Sequence, residues 1–376
     1  MANTTTAAEL VVKKYLADFF REYVRTNRFS KETGTGVNNV ITIKEGKQLI
    51  EVPLVTRLAG AGVTGSSTLR GNGEKIGNYG FTLTPTYKRH AVEFDKEELD
   101  KPAIDLMNAA RPLLMDWSME LTRDDIIEAM GAVHNGTSYF AYGTASNANH
   151  DSWLSNNTDR VHYGVSTQAA QTDHSTGLGL LDNTADKLTT AAISKMKVLA
   201  KNARPRIRPI KTKGDEEWYI AYMDSYCFRD LKANLDTQHQ NAGVRGRDNP
   251  IFRDNDLVVD GVICREVAEI ADFIDNAADG LDLWGASATA NSLKTGGAGS
   301  IRVSPVFFCG AQAVGFGLGQ RPNVIVDLDY DFNFQPGVAV ECKHDIKKAF
   351  FDDHASGTAS QHKQHGIVTG FFASVI

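Results

Sequence analysis

The sequence predicts an α+β protein in which projecting elements surround a mixed core. Three observations support this prediction: an amphipathic segment near the beginning, two strand-like segments joined by a long glycine-rich connection, and a later region where apolar strands alternate with short helices. The chain of 376 residues, 42% apolar and 23% charged, is long enough for two or three domains, or for one domain with large insertions.

The first predicted element is an amphipathic helix in residues 7–26. Val12, Leu16, Phe19 and Tyr23 recur there at helical spacing with charged residues between them. A polar, glycine-containing segment follows, so we expect this helix to be an arm that packs away from its own core.

Two strands are predicted next, in residues 46–58 and 79–94, where apolar and polar residues alternate. Pro53 and Pro85 cannot donate backbone hydrogen bonds, which favours edge strands or a two-stranded ribbon over the centre of a wide sheet. Residues 59–78, between the strands, are rich in Gly, Ser, Thr and Asn.

A long helix is predicted from Asp95 to Met130. Asp95 and Glu98 have the spacing of a helix N-cap and its partner, and an apolar stripe follows them. Pro102 should lie near the helix start. Pro112 should bend or break the helix, because proline lacks the amide donor and clashes with the preceding turn, and we predict a bend.

The remaining segments predict shorter elements. Residues 135–186 are polar with little periodicity, which indicates a long excursion or several short elements. Residues 188–203 predict a helix, and strands alternate with short helices from Trp218 onward. Further strands are predicted in residues 324–334 and on both sides of a polar, histidine-containing C-terminal loop.

Composition argues against several classes of protein. The formal net charge of −6 disfavours a protein whose main task is to neutralise phosphates. The four cysteines are far apart and lie mostly in apolar runs, which favours buried thiols in a reducing compartment. The N-terminus shows no secretory signal pattern and no apolar run approaches roughly 18 residues, so we expect neither export by that route nor a membrane span.

One motif suggests a nucleotide. Gly60, Gly62 and Gly65 have the G-x-G-x-x-G spacing of a dinucleotide-binding loop, as in a nucleotide-binding oxidoreductase. Such a loop needs a helix directly after the glycines and an acidic residue about 20 residues further on. Here four more glycines follow, and Gly80 and Phe81 occupy the region of the acid.

The other interpretation of this loop is a contact with a neighbouring chain. A loop of about twenty residues without its own core gains little from burial against an ordering cost of roughly 1–2 kcal/mol per residue. We therefore expect a partner to order it, through pairing of Arg57, Arg70, Glu74 and Lys75 with another chain. The glycines would then serve the turns.

Two motifs resemble metal sites. His354, His362 and His365 have partial zinc-ligand spacing, but their loop is polar and turn-like, which favours a solvated loop. The alternating aspartates of residues 327–331 lack the Gly and distal Glu of a calcium loop. They are typical of the solvent-exposed face of a strand. No G-x-S-x-G, C-x-x-C or H-E-x-x-H motif occurs, so we predict no catalytic, cofactor or metal site.

A basic segment contains Arg204, Arg206, Arg208, Lys211 and Lys213, with prolines between them. Nucleic acid or an acidic neighbour would both fit such a segment. Because the chain is acidic overall, we favour contacts between subunits for the three arginines.

The order of these elements resembles that of tailed-phage major capsid proteins, whose fold is named after coliphage Hong Kong ninety-seven. EVPLVTRLAGAGVTGSSTLRGNGEKIGNYGFTL is similar to the extended-loop region of the family that includes the coat protein of coliphage N-four. WYIAYMDSYCFRDLKANL, VVDGVICREV and FFCGAQAVGFGLG follow in that family's order. The resemblance extends from about Phe19 to Ile376, although the family has Gly-Asn-Glu-Glu where this chain has GNGE.

The resemblance implies a division of the chain. It implies an N-terminal arm (1–45), an extended loop over a neighbouring subunit (46–94), a peripheral domain with a spine helix and an insertion (95–217), an axial domain (218–334), and a C-terminal return to the peripheral domain (335–376).

The resemblance also implies a structural role and no enzymatic activity. Copies would form hexamers and pentamers of an icosahedral virion shell, assembled in the bacterial host cytoplasm. The implied partners are other capsid subunits, double-stranded DNA held weakly and without sequence specificity on the inner face, and portal, scaffold or decoration proteins. No membrane or cofactor is implied.

Overall fold

The structure is a computed structural model that describes residues 24–55, 62–72, 78–99, 106–164, 172–211, 217–235, 256–275, 283–285, 291–329, 334–352 and 362–375. Most of the predicted N-terminal helix lies outside these residues, and residues 24–27 form no regular element.

The helices are α1 (Lys96–Leu99), α2 (Leu106–Gly131), α3 (Asn147–Asn156), α4 (His174–Gly179), α5 (Thr190–Asn202), α6 (Ser225–Asn234) and α7 (Glu269–Asp275). The strands are β1 (Thr33–Gly34), β2 (Ile41–Glu45), β3 (Ile50–Val55), β4 (Asn78–Leu83), β5 (Thr86–Glu93), β6 (Val133–His134), β7 (Tyr139–Phe140), β8 (Val161–Tyr163), β9 (Ile210–Lys211), β10 (Glu217–Met223), β11 (Leu257–Val259), β12 (Val262–Glu266), β13 (Val303–Cys309), β14 (Val314–Asp327), β15 (Gly337–Lys348), β16 (Phe350–Asp352), β17 (His362–Gln364) and β18 (Ile367–Ala373).

The chain divides into two compact units. The smaller comprises Met1–Asn27, Tyr87–Thr122 and Gln320–Lys343, and the larger comprises Arg28–Thr86, Arg123–Gly319 and His344–Ile376. The described part of the smaller unit has its own apolar cluster, in which Leu114 of α2 packs with Val338 and Val340 of β15. The alternation of β15 places these valines on the inner face of their strand.

The larger unit is built on a sheet with strand order β11-β12-β10-β13-β18-β8. Both faces of this sheet are covered, so β13 and β18 are buried at every position. Alternate residues of β10 enter two different cores: Tyr219 and Ala221 join one cluster, and Ile220 and Tyr222 join the other. The period of two residues in a strand therefore gives the unit two apolar layers.

Helix α5 confirms the prediction for residues 188–203. Its buried residues Ala192, Met196 and Ala200 recur every four positions and form one stripe. Its first turn is capped by Thr189, whose hydroxyl accepts the amide of Ala192 at 3.3 Å. Helix α2 runs through Pro112 without a break, as predicted, and the bend at that position stays a prediction.

The polar excursion predicted for residues 135–186 consists of several short elements, among them α3, β8 and α4 in its described part. The strand predicted for residues 324–334 is wrong at residues 328 and 329, because β14 ends at Asp327, and residues 330–333 lie outside the described chain. The Asp327 carboxylate accepts the amide of Asp329 at 3.0 Å, and such a local bond competes with strand pairing.

The four cysteines are buried and unpaired, as predicted. Among the described residues, the structure has no helix that is both long and apolar enough to cross a membrane.

Candidate subunit interface

The predicted strand pair forms a separate two-stranded ribbon. Strands β3 and β4 pair antiparallel from Ile50 opposite Leu83 to Val55 opposite Asn78, and together they form a sheet of their own. Pro53 lies opposite Gly80 within this ribbon, and β5, which follows Pro85, is an edge strand. The ribbon and the edge position agree with the prediction from the prolines. The single strand predicted for residues 79–94 is wrong, because it is interrupted at Pro85, and the amide of Thr84 donates to the Asp345 carboxylate at 2.7 Å instead of to a strand.

The chain between β3 and β4 turns at glycines. Gly62, Gly65 and Gly71 have φ values of +72°, +69° and +91°, the left-handed region that favours glycine. A Cβ at any of the three would meet nothing within 4 Å. These glycines are therefore needed for the turn conformation of the backbone, and not because another atom of the described chain packs closely against them. Residues 62–72 contain no helix. The dinucleotide motif therefore lacks the helix N-terminus that would hold a pyrophosphate.

A closed turn presents one apolar side chain to solvent. The amide of Asn72 donates to the carbonyl of Leu69 at 3.1 Å, and its side chain donates to the carbonyl of Thr68 at 2.9 Å. Leu69 is 71% exposed on this turn, and Arg70 beside it is exposed. Within the described chain, Arg70 has no carboxylate partner.

A groove lies at the base of the ribbon. Val52 of β3, Phe81 of β4, Val314 of β14 and Phe351 of β16 line a mostly apolar space of about 280 Å³. Phe81 and Phe351 meet edge to face with ring centroids 5.3 Å apart. We call this space the base groove.

Charged and titratable groups line the rim of the base groove. Lys44 and Glu51 are exposed, and neither has an ion-pair partner among the described residues. The Glu51 carboxylate lies beside Gly80, where an added Cβ would be 2.8 Å from Oε1. Burial, with a smaller effect of the Arg160 charge, lowers the pKa of His365 to about 4, so this lining residue is neutral at pH 7.

The backbone of the basic segment is hydrogen-bonded at several positions, and its three arginine side chains are exposed. Ile207 is buried, its amide donates to Ala200 O at 3.2 Å, and Arg208 O accepts from Ala311 N at 2.8 Å. The amide of Arg204 donates to Asp159 at 3.0 Å. Arg204, Arg206 and Arg208 are exposed, and in the described chain no carboxylate pairs with their guanidinium groups.

The structure brings only part of the predicted contact set together. Gly62, Gly65 and Arg70 lie in one exposed turn, and the three arginines lie in a different segment. Arg57, Gly60, Glu74 and Lys75 lie outside the described residues, as does His354. Among the residues described, no group of three or more His, Cys, Asp or Glu side chains could hold a metal ion.

Sequence reasoning missed Leu69 and the base groove. A large apolar residue inside a run of Gly, Ser and Thr was a signal for the first. The second had no local signal, because its lining comes mostly from five strands, β2, β3, β4, β14 and β16.

The model of the phage capsid protein family matches residues 3–375. The chain belongs to the phage capsid protein family. This capsid protein is similar to the cyanophage Pam1 capsid asymmetric unit, with a TM-score of 0.84 and 33% identity over 100% of both chains.

Two more distant proteins agree with this result. The capsid of Ralstonia phage GP4 shares the fold at a TM-score of 0.69, with 18% identity over 100% of this chain and 99% of that chain. The major capsid protein of Pseudomonas phage KPP25 is 25% identical over 300 residues, which are 77% of this chain and 74% of that protein.

The capsid protein therefore has an α+β fold of the Hong Kong ninety-seven type, as the sequence predicted. It is a phage major capsid protein, a component of the virion capsid, and its family is structural and not enzymatic. The oxidoreductase alternative is not supported.

Proposed function

We propose that copies of this capsid protein assemble as hexamers and pentamers into the icosahedral shell of a tailed bacteriophage that encloses double-stranded DNA. The observation that supports this most directly is the ribbon. Its turn, residues 62–72, is exposed, and in the described chain it makes hydrogen bonds only within itself. A segment with so little burial in its own subunit gains its order from a neighbour.

The division of labour along the chain is part of this proposal. Residues 46–94 form the extended loop over the adjacent subunit, 95–217 a peripheral domain with α2 as its spine helix, and 218–334 an axial domain. Residues 1–45 form the arm, and residues 335–376 return to the peripheral domain. Within the family, we place the chain with the coat proteins similar to that of coliphage N-four, and we expect assembly in the host cytoplasm.

The proposed contacts between subunits are in two places. The first is the loop, with Arg57, Arg70, Glu74, Lys75 and the glycines at 60, 62 and 65. The second is the basic segment with Arg204, Arg206 and Arg208, whose guanidinium groups pair with no carboxylate of the described residues while backbone groups of the segment are hydrogen-bonded. A hydrogen-bonded backbone lowers the ordering cost of a charged contact, which supports an interface at this segment.

Electron microscopy of the purified protein tests the proposal. We expect rings or closed particles from the intact chain, and unassembled but folded subunits after residues 59–78 are replaced by a short turn. Circular dichroism of the shortened chain is the control for folding. Intact subunits that stay monomeric under every assembly condition, or a shortened chain that still forms particles, would contradict the proposal.

The competing functions have their own signatures. A nucleotide-dependent enzyme would bind a dinucleotide saturably and lose this binding in Gly62→Val. A nucleic-acid contact at the basic segment would show salt-dependent DNA binding that falls when Arg204, Arg206 and Arg208 are replaced by Gln, with particle yield unchanged. We expect the reverse for these arginines, a lower particle yield.

A further inference from the structure

We propose that Leu69 at the ribbon tip of one copy inserts into the base groove of the adjacent copy, and that Arg70 pairs with Glu51 at the rim of that groove. This inference rests on the proposed function, in which the ribbon contacts a neighbouring subunit. It adds the two surfaces that meet and the residues that select them.

The exposed apolar side chain of Leu69 matches the apolar space of the base groove. Leu69 is 71% exposed, the highest fraction among the exposed large apolar residues of the described chain. The two Asn72 hydrogen bonds close the short turn that carries Leu69, so less conformational entropy is lost at this turn on binding. The base groove offers Val52, Phe81 and Phe351 as walls.

The size of the base groove also fits a side chain. A space of about 280 Å³ is at the lower limit of the roughly 300–1,000 Å³ that drug-sized ligands and cofactors occupy. It suits one or two side chains better than a nucleotide. The groove has fewer polar than apolar lining groups, which also fits a leucine.

The charges of the two surfaces are complementary. Arg70 directly follows Leu69, and Glu51 lies on the rim of the base groove. Both are exposed and neither has an ion-pair partner in the described chain, so a guanidinium and a carboxylate are available for each other. Lys44 lies on the same rim and carries a positive charge, so it repels Arg70. This repulsion favours the arrangement in which Arg70 lies beside Glu51 and away from Lys44.

The symmetry of the contact also supports it. The tip and the base groove are different surfaces of one subunit, so a contact between them is heterologous. Heterologous contacts repeat from copy to copy and close into a ring when the rotation allows it. Several weak tip-to-groove contacts in one ring then stabilise one another.

Charge exchange tests the ion pair. We expect Arg70→Glu and Glu51→Arg each to lower the particle yield at least five-fold, measured by sedimentation and electron microscopy. The double variant Arg70→Glu/Glu51→Arg should return the yield to within two-fold of the unmodified chain. Single variants that assemble normally, or a double variant no better than the worse single one, would overturn the pairing.

Replacement of the leucine tests the insertion. Leu69→Asp should lower the particle yield at least ten-fold, because the groove cannot solvate a carboxylate. The matched control is Leu49→Asp, which changes a leucine of similar exposure, 66%, that is neither on the turn nor in the groove. Equal yields for Leu69→Asp and Leu49→Asp would refute a specific role for Leu69.

Cysteine crosslinking separates this inference from the proposed function. The four native cysteines are buried, so the double variant Leu69→Cys/Val52→Cys has two accessible thiols in its tip and groove. Oxidised particles should give a ladder of linked subunits on a denaturing gel, whereas each single variant should not. Particles that form without a ladder, or with an internal disulfide that leaves the chain monomeric, contradict the insertion and leave the shell function intact. Failure of the unmodified chain to form particles contradicts the shell function itself.

Discussion

Asp224 stabilises the larger unit in two ways, and its replacement gives the sharpest test of the energetics. It is fully buried, and its Oδ1 accepts the amide of Cys227 at 2.8 Å as the N-cap of α6. Its Oδ2 pairs with Arg302 Nη1 at 2.8 Å and accepts a hydrogen bond from the hydroxyl of Ser304 at 2.5 Å. Asp275, whose side chain is 31% exposed, holds Arg302 Nε at 2.7 Å from the other side.

The cost of each substitution follows from these contacts. Burial alone would lower the pKa of Arg302, but the charge of Asp224 and then that of Asp275 outweigh it, so the pKa lies above its ordinary value and the arginine stays charged. Removal of one partner of a buried pair costs about 3–5 kcal/mol. Asp224→Asn keeps a side-chain oxygen that accepts the Cys227 amide, and Asp275 still pairs with Arg302. We therefore expect Asp224→Asn to lower the free energy of unfolding by about 3 kcal/mol. Asp224→Ala also loses the N-cap, which adds about 1 kcal/mol.

Guanidinium unfolding of unassembled subunits, followed by circular dichroism, measures these costs. With an m-value on the order of 5 kcal/mol/M, a loss of about 3 kcal/mol lowers the midpoint by about 0.6 M. Asp275→Asn is the matched control. Because the Asp275 carboxylate is partly solvated, this substitution should lower the free energy of unfolding by about 1 kcal/mol or less. The reasoning is refuted if Asp224→Asn costs under about 1 kcal/mol, or if Asp275→Asn costs as much as Asp224→Asn.

Three other predictions concern buried groups. Burial lowers the pKa of His150 to about 4 and that of His174 well below its usual value. The unfolded chain therefore binds more protons in acid, and the free energy of unfolding should fall by about 2 kcal/mol per histidine from pH 7 to pH 5. A constant unfolding midpoint over that range would contradict this. Burial also lowers the pKa of Lys348 to about 7, so the free energy of unfolding should rise with pH between about 7 and 10. The variant Lys348→Met should lack this rise and should unfold at a higher guanidinium concentration than the unmodified chain at pH 7. A variant with an unchanged pH profile would count against this prediction. Gly143→Ala would place a Cβ 1.7 Å from a backbone oxygen and should lower the free energy of unfolding by about 3 kcal/mol. At Gly179 an added Cβ would meet nothing within 4 Å, so Gly179→Ala should leave stability nearly unchanged. Comparable thermal midpoints for the two variants would exclude the clash at Gly143.

Local patterns predicted much of the fold. The alternation of apolar and polar residues and the prolines at 53 and 85 predicted a ribbon or edge strands, and the helical spacing of Ala192, Met196 and Leu199 predicted α5. These predictions succeeded because each depends on residues close in sequence. Strand ends were harder, and β14 stops at Asp327 because that carboxylate bonds to the backbone two residues on.

The candidate interface divides in the same way. Gly62, Gly65 and Arg70 were predicted from the sequence as contacts between subunits, because a glycine-rich loop with charges has a local signature. Glu51 was visible only as one polar position in a strand, and its place at the rim of the base groove depends on residues from other strands. That Arg204, Arg206 and Arg208 pair with no carboxylate among the described residues also became visible only in the structure, since a basic run alone does not show which charges are paired.

The sequence by itself predicted a major capsid protein with a glycine-rich loop between two paired strands, because the order of elements and the loop composition lie along the chain. Tertiary structure alone decided which charges are paired and where an apolar space lies open. Arg302 meets Asp224 across 78 positions of sequence, and Arg160 donates to the carbonyl of Gln364 across 204. Such partners are selected by the three-dimensional packing of strands and helices, and no local pattern encodes them.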